Sequence, residues 1–338
     1  MNLGTTYLGL QLPHPLVVGS GLLTDDLDTV RELEDAGAAA LVLRPLYEEE
    51  ITGEQIQGFY AAESHNESFA EAITYLPDPE VALGPEEYLE HLRRVKSAVS
   101  IPVIAALNGS TPGGWTSCAR LLQEAGADAV EIDLYHGISD ATRSAAEVEE
   151  GMIEIVRAVK GQLTIPVAVK LSPLYTAFTH FAREIDAAGA DGIVLFSRFH
   201  RVDIDPVELE VVRSLPVSDS STLDLRLRGT AALSGRVRGS LAVTGGVHTA
   251  LDVIKATMTG AHVTQLVSAL VRHGARHLAT VRADLEAWMV ENEWSSLTPM
   301  RGNLGFDRIP NPGAYERAGF RMMFEGSGLP VGEELRGG

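Results

Sequence analysis

The chain has 338 residues, of which 45% are hydrophobic and 22% are charged, a composition typical of a globular protein with one large core or two smaller ones. Its 27 Lys and Arg residues stand against 46 Asp and Glu residues, a formal net charge of −19, so we expect neither nucleic acid nor an anionic membrane as a partner. The single cysteine, Cys118, excludes an intramolecular disulfide and a Cys-ligated zinc or iron–sulfur site within the chain.

Nothing in the sequence predicts a membrane or secreted protein. No apolar run reaches the roughly 18 residues of a membrane span. Residues 1–12 lack the basic and apolar regions of a signal peptide. A reducing cytoplasm is therefore the expected compartment.

Short apolar runs alternate with helical patterns along most of the chain. The runs show no polar alternation, which is typical of strands buried on both faces of a sheet. The predicted strands lie near 15–19, 39–44, 101–107, 128–134, 165–171, 191–196, 240–244 and 262–267. The predicted helices lie near 26–36, 86–98, 115–124, 145–160, 175–188, 229–238, 249–259 and 273–290.

Eight β-then-α units within about 250 residues predict a (β/α)8 TIM barrel. A doubly wound sheet is the alternative, but it rarely has eight evenly spaced strands, and no GxGxxG motif follows the first strand. We predict a barrel over 1–290 and an extension over 291–338 that packs on it and is mobile from Pro330 onward. Long loops, 45–85 and 197–228, follow strands two and six on the face where such barrels carry their catalytic loops.

Polar residues at the carboxyl ends of barrel strands point towards the active site. In chain order these candidates are Gly19, Ser20, Gly21, Arg44, Asn108, Asp133, Tyr135, His136, Lys170, Ser197, Gly245, Gly246 and Ser268.

The segment Thr244-Gly245-Gly246-Val247 is the candidate phosphate site. Glycines let backbone N–H groups approach an anion, and the helix that opens at Thr249 adds a favourable dipole. Barrels often bind phosphate between the loops after strands seven and eight. A tight turn without a ligand is the alternative interpretation.

Lys170 lies inside the apolar strand Val167-Ala168-Val169-Lys170-Leu171. A buried ammonium group is costly unless it has a partner. It either pairs with a carboxylate, for which Asp133 is the candidate, or faces an anionic cofactor or a developing negative charge. The same two interpretations apply to Arg44.

His136 follows strand four and is the candidate general acid or base. The alternative is a histidine in a loop that faces solvent. No HxH or HExxH spacing is present, so no metal site is expected.

Several motifs resemble the dihydroorotate dehydrogenases, and more narrowly their dihydroorotate dehydrogenase-like bacterial branch. The general resemblance lies in Gly19-Ser20-Gly21, Val169-Lys170-Leu171-Ser172-Pro173 and Thr244-Gly245-Gly246-Val247. The narrower one lies in Pro45-Leu46-Tyr47-Glu48-Glu49, Gly84-Pro85-Glu86-Glu87-Tyr88-Leu89, Leu107-Asn108-Gly109-Ser110-Thr111-Pro112-Gly113-Gly114-Trp115, Leu195-Phe196-Ser197-Arg198-Phe199 and Ser268-Ala269-Leu270-Val271-Arg272-His273-Gly274. The resemblance implies FMN at the top of the barrel and a homodimer.

The same resemblance assigns roles to the candidate residues. It implies that Gly19, Ser20 and Gly21 line the flavin, and that Lys170 contacts its N1/C2 carbonyl edge. Arg44 stands where the family has a lysine that faces the flavin. It also implies that Gly245 and Gly246, with Ser268, hold the phosphate of the flavin. We expect Asn108 and Asp133 to be cofactor-binding residues as well.

The chain also departs from the soluble dihydroorotate dehydrogenases. Their catalytic cysteine lies in an Asn-Leu-Ser-Cys-Pro stretch, where this chain reads Asp133-Leu134-Tyr135-His136-Gly137. His136 therefore takes the place of the base, with Tyr135 next in line. The asparagines that bind orotate correspond to about Ala72, Asp133 and Ser197.

The expected function is an FMN-dependent oxidoreductase that acts on a carbonyl-activated C–C bond of a small ring-like metabolite. An electron-transfer partner is expected to be separate, because one cysteine carries no iron–sulfur relay. Two alternatives stay open: a flavin-free lyase or isomerase that uses Lys170, and a non-catalytic subunit of the same fold.

Overall fold

The computed structural model of the protein describes residues 1–47, 85–109, 112–134, 140–197, 201–214 and 216–316. In chain order, the strands of these ranges are β1 (Thr5–Tyr7), β2 (Leu10–Leu12), β3 (Leu16–Val18), β4 (Leu41–Tyr47), β5 (Val103–Gly109), β6 (Ala129–Leu134), β7 (Val167–Leu171), β8 (Gly192–Leu195), β9 (Arg201–Asp205), β10 (Glu210–Ser214), β11 (Ser240–Thr244) and β12 (Val263–Leu266). The α-helices are α1 (Leu27–Asp35), α2 (Pro85–Ala98), α3 (Pro112–Glu124), α4 (Ala145–Gln162), α5 (Phe178–Ala187), α6 (Asp224–Leu233), α7 (Ala250–Thr259), α8 (Ser268–His273) and α9 (His277–Glu291).

The eight parallel strands close into a barrel in the order β3-β4-β5-β6-β7-β8-β11-β12. Helices lie between successive strands, so the predicted TIM barrel is confirmed. Each strand carries apolar residues on both faces. One set packs against the surrounding helices, while a smaller set, with Val17, Val42, Ile104 and Val194 among its members, fills the barrel interior.

A short hairpin of β1 and β2 closes the amino-terminal end of the barrel. Tyr7, Leu8 and Leu12 belong to the interior cluster, and Leu8 N donates a hydrogen bond to Ser240 Oγ at the start of β11. The fit is tight, because a Cβ on Gly192 would lie 2.5 Å from Leu8 Cδ2. The open end, which we call the mouth, is therefore the one formed by the carboxyl ends of the strands.

Several elements differ from their predicted positions. Helix α6 starts at Asp224 and ends at Leu233, whereas 229–238 was expected. The last predicted helix, 273–290, corresponds to α9, and the short helix α8, which Gly274 with a φ of +78° separates from it, was not predicted. The loop expected over 197–228 contains the antiparallel hairpin β9–β10. Most of the loop expected over 45–85 lies outside the described residues.

Residues that follow α9 pack on the outside of the barrel. Leu297 and Met300 are fully buried, and Leu304 N and Phe306 N donate hydrogen bonds to Met258 O and Ala231 O. The division at residue 290 stays a prediction, and the end beyond residue 316 lies outside the described ranges.

Two histidines are held neutral near the amino-terminal ends of the strands. Leu16 N donates to His14 Nδ1 and Leu241 N donates to His262 Nδ1. Burial, with Arg282 nearby, lowers the pKa of His14 to about 4, and burial, with Arg301 nearby, lowers the pKa of His262 to about 4.

We expect the free energy of unfolding to fall as the pH decreases from about 6.5 to about 4. In this window the unfolded chain protonates both imidazoles and the folded chain does not, so each histidine contributes a slope of about 1.4 kcal/mol per pH unit. Urea unfolding at a series of pH values measures this slope. His262→Gln should remove the share of one histidine, whereas His180→Gln, at an exposed position, should leave the slope unchanged. Equal slopes in all three proteins would contradict the assignment.

Candidate active site

Inward-facing positions at the mouth carry polar residues above the apolar interior. Side chains alternate along a strand, so residues two positions beyond an interior residue also face inward. The rule extends Val17 to Gly19, Ala106 to Asn108, Ala129 to Glu131 and Asp133, Ala168 to Lys170, and Val263 to Gln265. It does not apply to Arg44, because the register of β4 shifts between Val42 and Pro45. The barrel therefore brings most of the predicted strand-end residues around one opening.

Lys170 lies between two carboxylates of the neighbouring strand. Its Nζ lies 2.5 Å from Glu131 Oε1 and 3.8 Å from Asp133 Oδ2. The carboxylate partner expected from the sequence is thus present, but Glu131 is closer than Asp133. The spacing Glu131-Ile132-Asp133 was the available signal, since it places both acidic groups on one face of a strand.

Burial and charge act in opposite directions on Lys170. Burial alone would lower the pKa of its ammonium group, but the carboxylates of Glu131 and Asp133 outweigh burial and raise it. Lys170 is therefore a cation at neutral pH. Burial, reinforced by Glu131, raises the pKa of Asp133 despite the opposing effects of Lys170 and Ser197.

Glu131 is fixed from the opposite wall of the barrel. Its Oε2 accepts a hydrogen bond of 2.7 Å from Gln265 Nε2 of β12, which is four strands away from β6 in either direction. Below this pair, the fully buried Tyr7 closes the interior. Burial raises the pKa of the Tyr7 phenol, and the charge of Glu131 adds to that effect.

Asp133 and Ser197 form the upper part of the same cluster. Ser197 Oγ donates a hydrogen bond of 2.5 Å to Asp133 Oδ1. Both were predicted to lie near the substrate, and the structure brings them together. Asn108 of β5 is half-buried and lies opposite Asp133 in the strand pairing.

Arg44 lies across the mouth and is tied to the loop after β3. Its Nε lies 3.3 Å from Asp25 Oδ1, and its backbone N donates to Thr24 Oγ1. Ser20 Oγ donates to Leu43 O. Arg44 therefore has a carboxylate partner, as one of its two interpretations predicts. Its role towards a flavin stays a prediction.

Close packing accounts for the glycines after β3. A Cβ on Gly19 would lie 2.9 Å from Val267 Cγ2, and one on Gly21 would lie 3.2 Å from Val267 Cγ1. Gly245 and Gly246, after β11, have φ values of +83° and +80°, where other residues are strained. The φ values agree with the turn interpretation of Gly245-Gly246, and flavin contacts of all four glycines stay predictions.

Ser218 joins two of the predicted phosphate-binding residues. Gly246 N donates to Ser218 Oγ at 3.4 Å, and Ser218 N donates to Ser268 Oγ at 3.0 Å. His248 Nε2 lies 3.2 Å from Ser218 Oγ. Neither Ser218 nor His248 is among the predicted site residues, because neither belongs to a strand end or a glycine motif.

The start of α7 is already capped. His248 N and Thr249 N both donate to Asp252 Oδ2, and Thr249 Oγ1 accepts from Asp252 N. The N–H groups of His248 and Thr249 are thus already bonded within the chain. The expected contributions of the Gly245-Gly246 turn, Ser268 and the helix dipole to a phosphate site stay predictions.

The two candidate bases fall on residues that the structure does not describe. His136 and Tyr135 lie outside the described residues, as does Ala72. Among the side chains that the structure describes, no group of three His, Cys, Asp or Glu residues is placed to hold a metal. In the same ranges, no helix is long and apolar enough to cross a membrane.

Comparison with known proteins identifies the family. The model of the dihydroorotate dehydrogenase family matches residues 81–289, a region that contains Glu131, Asp133, Lys170, the Gly245-Gly246 turn and Ser268. The chain belongs to the dihydroorotate dehydrogenase family. It is therefore an oxidoreductase of this family, as the sequence motifs predicted.

Three relatives of the family span most of this chain. The dihydroorotate dehydrogenase B (NAD(+)) catalytic subunit of Thermoplasma acidophilum is 25% identical over 311 residues, which cover 89% of this chain and 98% of the relative. The protein of the same name from Methanothermobacter thermautotrophicus is 23% identical, with 89% and 97% covered. The NAD-dependent dihydropyrimidine dehydrogenase subunit PreA of Escherichia coli is 22% identical over 337 residues, with 91% and 78% covered.

Proposed function

We propose that this protein is an FMN-dependent oxidoreductase that acts on the C–C bond next to a carbonyl group in a small, uncharged ring. The observation that carries the proposal is Lys170, a buried cation at the mouth of a barrel from the dihydroorotate dehydrogenase family. An ammonium group with a raised pKa is suited to a ligand edge that bears negative charge.

The residues around the mouth fit a flavin in their chemistry. Lys170 and Arg44 would face its pyrimidine edge, while the Gly245-Gly246 turn and Ser268 would hold its phosphate. Asp25, Glu131 and Asp133 keep the two cations from repelling each other before the ligand binds. When bound, FMN supplies the acceptor for a hydride.

His136 would move the proton that accompanies hydride transfer. A histidine has an ordinary pKa of about 6.5 and exchanges protons readily near neutral pH. In the sequence it stands two positions after Leu134, the last residue of β6. Asp133 and Ser197 would contact the substrate ring.

Lys170 is poorly suited to the alternative lyase or isomerase chemistry. A Schiff base requires a neutral amine, which desolvation or a second cation produces by lowering the pKa. In this chain Glu131 and Asp133 raise the pKa of Lys170 instead. This electrostatic setting favours a fixed cation over a nucleophile.

Charge at the mouth favours an uncharged substrate. Asp133 and Glu131 lie beside Lys170, so a further carboxylate on the substrate would meet two negative groups for one positive group. One relative is named as a dihydropyrimidine dehydrogenase subunit, and a dihydropyrimidine is a ring of the required kind.

The spectrum of the purified protein tests the cofactor. We expect flavin absorbance, release of FMN on denaturation, and rebinding of FMN by the flavin-free chain. A colourless protein that fails to bind added FMN would contradict the proposal.

We expect dihydroorotate to be a poor substrate. Its carboxylate would be repelled by Asp133, and the position of the family's cysteine base holds His136. Anaerobic mixing with dihydroorotate should bleach the flavin slowly or leave it unchanged. Rapid bleaching, at the rate of about 10 per second that is common for enzymes, would refute this prediction.

We further propose a cytoplasmic homodimer that passes electrons to a separate partner. Two relatives are named as catalytic subunits and one as a subunit of a dihydropyrimidine dehydrogenase. This naming supports an electron-transfer partner for the present chain as well.

A further inference from the structure

Glu131 is the most deeply buried charged group at the mouth. Its side chain has 0% exposure, compared with 9% for Lys170 and 19% for Asp133. Its two oxygens contact different walls of the barrel: Oε1 lies 2.5 Å from Lys170 Nζ on β7, and Oε2 accepts from Gln265 Nε2 on β12. The carboxylate is therefore held in the barrel interior by both walls.

Asp133 alone would hold Lys170 differently. Its nearest oxygen lies 3.8 Å from Nζ, and its other oxygen accepts the hydrogen bond from Ser197. Asp133 is two residues closer to the mouth than Glu131 and is more exposed. Without Glu131, the ammonium group would be attracted towards Asp133 and would lose its shortest contact.

We infer that Glu131 is a positioning residue, which holds the ammonium group of Lys170 at a fixed place below Asp133. Gln265 fixes Glu131 in turn, so three strands of the barrel define the place of one positive charge. The inference rests on the proposed function only for what that charge meets at the mouth, which is the electron-rich edge of the flavin.

Groups on several elements act on this charge. Glu131 and Asp133 face Lys170 from β6, and Tyr47 of β4 acts on it electrostatically. Tyr7 lies beneath Glu131 on β1. Because burial opposes the charged form of Lys170, removing Glu131 should leave an ammonium group that loses its proton at a lower pH.

The chain contains four lysines, Lys96, Lys160, Lys170 and Lys255, so each can be followed by NMR after isotope labelling of lysine side chains. Lys170→Met identifies the Lys170 signal in the flavin-free protein. In Glu131→Gln we expect the pKa of Lys170 to fall by at least about one unit, a tenfold change in its protonation equilibrium. Lys96 and Lys160 are paired with Asp128 and Asp191, and their titrations should stay unchanged.

Two further variants separate positioning from general stability. Asp191→Asn removes an ion pair of the same 2.5 Å length on Lys160, and it should leave the titration of Lys170 unchanged. Glu131→Asp keeps the charge but cannot span the distance to both Lys170 and Gln265, so it should give an intermediate titration. It also serves as the test variant if Glu131→Gln fails to fold.

The second readout is the affinity for FMN. We expect Glu131→Gln to bind FMN at least about tenfold more weakly than the parent at pH 8, since a hydrogen-bonded charge contact is weakened. The deficit should be similar at pH 7 and pH 8, because a pKa lowered by about one unit still leaves Lys170 a cation at both values and the loss reflects its position. If the parent itself binds no FMN, the proposed function fails, while the NMR titration still tests Glu131. A Lys170 titration that is the same in the parent, Glu131→Gln and Glu131→Asp would overturn the inference.

Discussion

Lys170→Met is expected to lower the free energy of unfolding of the flavin-free protein by about 3–5 kcal/mol. The substitution keeps an unbranched side chain of similar length and removes the ammonium group, with its charge and its hydrogen-bond donors. It leaves Glu131, with 0% exposure, without the cation that lies 2.5 Å from it. Breaking a buried ion pair by removing one partner is costly because the remaining charge has no water to solvate it.

Lys160→Met is the matched control for this experiment. Lys160 Nζ also lies 2.5 Å from a carboxylate oxygen, that of Asp191, but the two side chains are 28% and 35% exposed. Water can solvate Asp191 after the substitution, so we expect a loss of less than about 1 kcal/mol. Urea unfolding monitored by circular dichroism compares the variants.

A double substitution completes the cycle. Lys170→Met combined with Glu131→Gln removes both charges, and we expect it to be more stable than Lys170→Met alone. Equal losses in Lys170→Met and Lys160→Met, with no recovery in the double variant, would show that Glu131 carries no buried charge in the folded protein.

The buried ion pair of Glu131 and Lys170 bears on function as well as on stability. A buried ion pair is weak evidence for stability, because apolar residues of similar volume often serve as well. The interior cluster is otherwise apolar below Glu131 and includes Ala129 and Ala168 on the same two strands. Charged residues begin only where the strands approach the mouth, which is the position that a ligand-binding role requires.

The barrel could be predicted because each β/α unit is specified by local sequence. Gly126 and Gly189 adopt φ values of +98° and +109° just after α3 and α5, and a buried strand follows each of them. Such endings repeat along the chain without reference to distant residues. The closed strand order then follows from the repeat and from the size of the domain.

The elements of the fold that were not predicted correctly are short or depend on contacts between residues that are distant in the sequence. Strands β1 and β2 have three residues each, too few for a periodic pattern. Helix α6 buries Arg226, Gly229 and Thr230, so its inner face does not show the apolar spacing that locates a helix.

The candidate site could likewise be predicted only in part from the sequence. Lys170 stood out because a charge within an apolar run is conspicuous. Its closest partner was not identified, because the pairing of β6 with β7 places Asp133 beside Lys170, whereas Glu131 is fixed by Gln265, which lies 134 positions further along the chain. Sequence spacing shows which face a residue occupies, but the closure of the barrel decides which inward residues meet.

His136→Ala is expected to slow the reductive half-reaction by about a hundredfold or more while FMN stays bound. The imidazole would take a proton from one carbon of the C–C bond, at a distance of about 3 Å, while the hydride leaves from the other carbon. Its ordinary pKa of about 6.5 also predicts that the parent loses rate below about pH 6, where the imidazole is protonated and cannot act as a base. Stopped-flow measurement of flavin bleaching, with a reduced pyrimidine as substrate, gives both quantities.

The controls distinguish a base from a structural histidine. His180→Gln changes an exposed histidine of α5 and should retain the rate and pH profile of the parent. Tyr135→Phe tests the neighbouring candidate, and its rate should stay close to that of the parent if His136 is the base. A His136→Ala protein as active as the parent would move the assignment to Tyr135. If both variants kept full activity, neither residue would be the base. If the parent binds FMN but no reduced pyrimidine reduces that FMN, the result would favour a non-catalytic subunit.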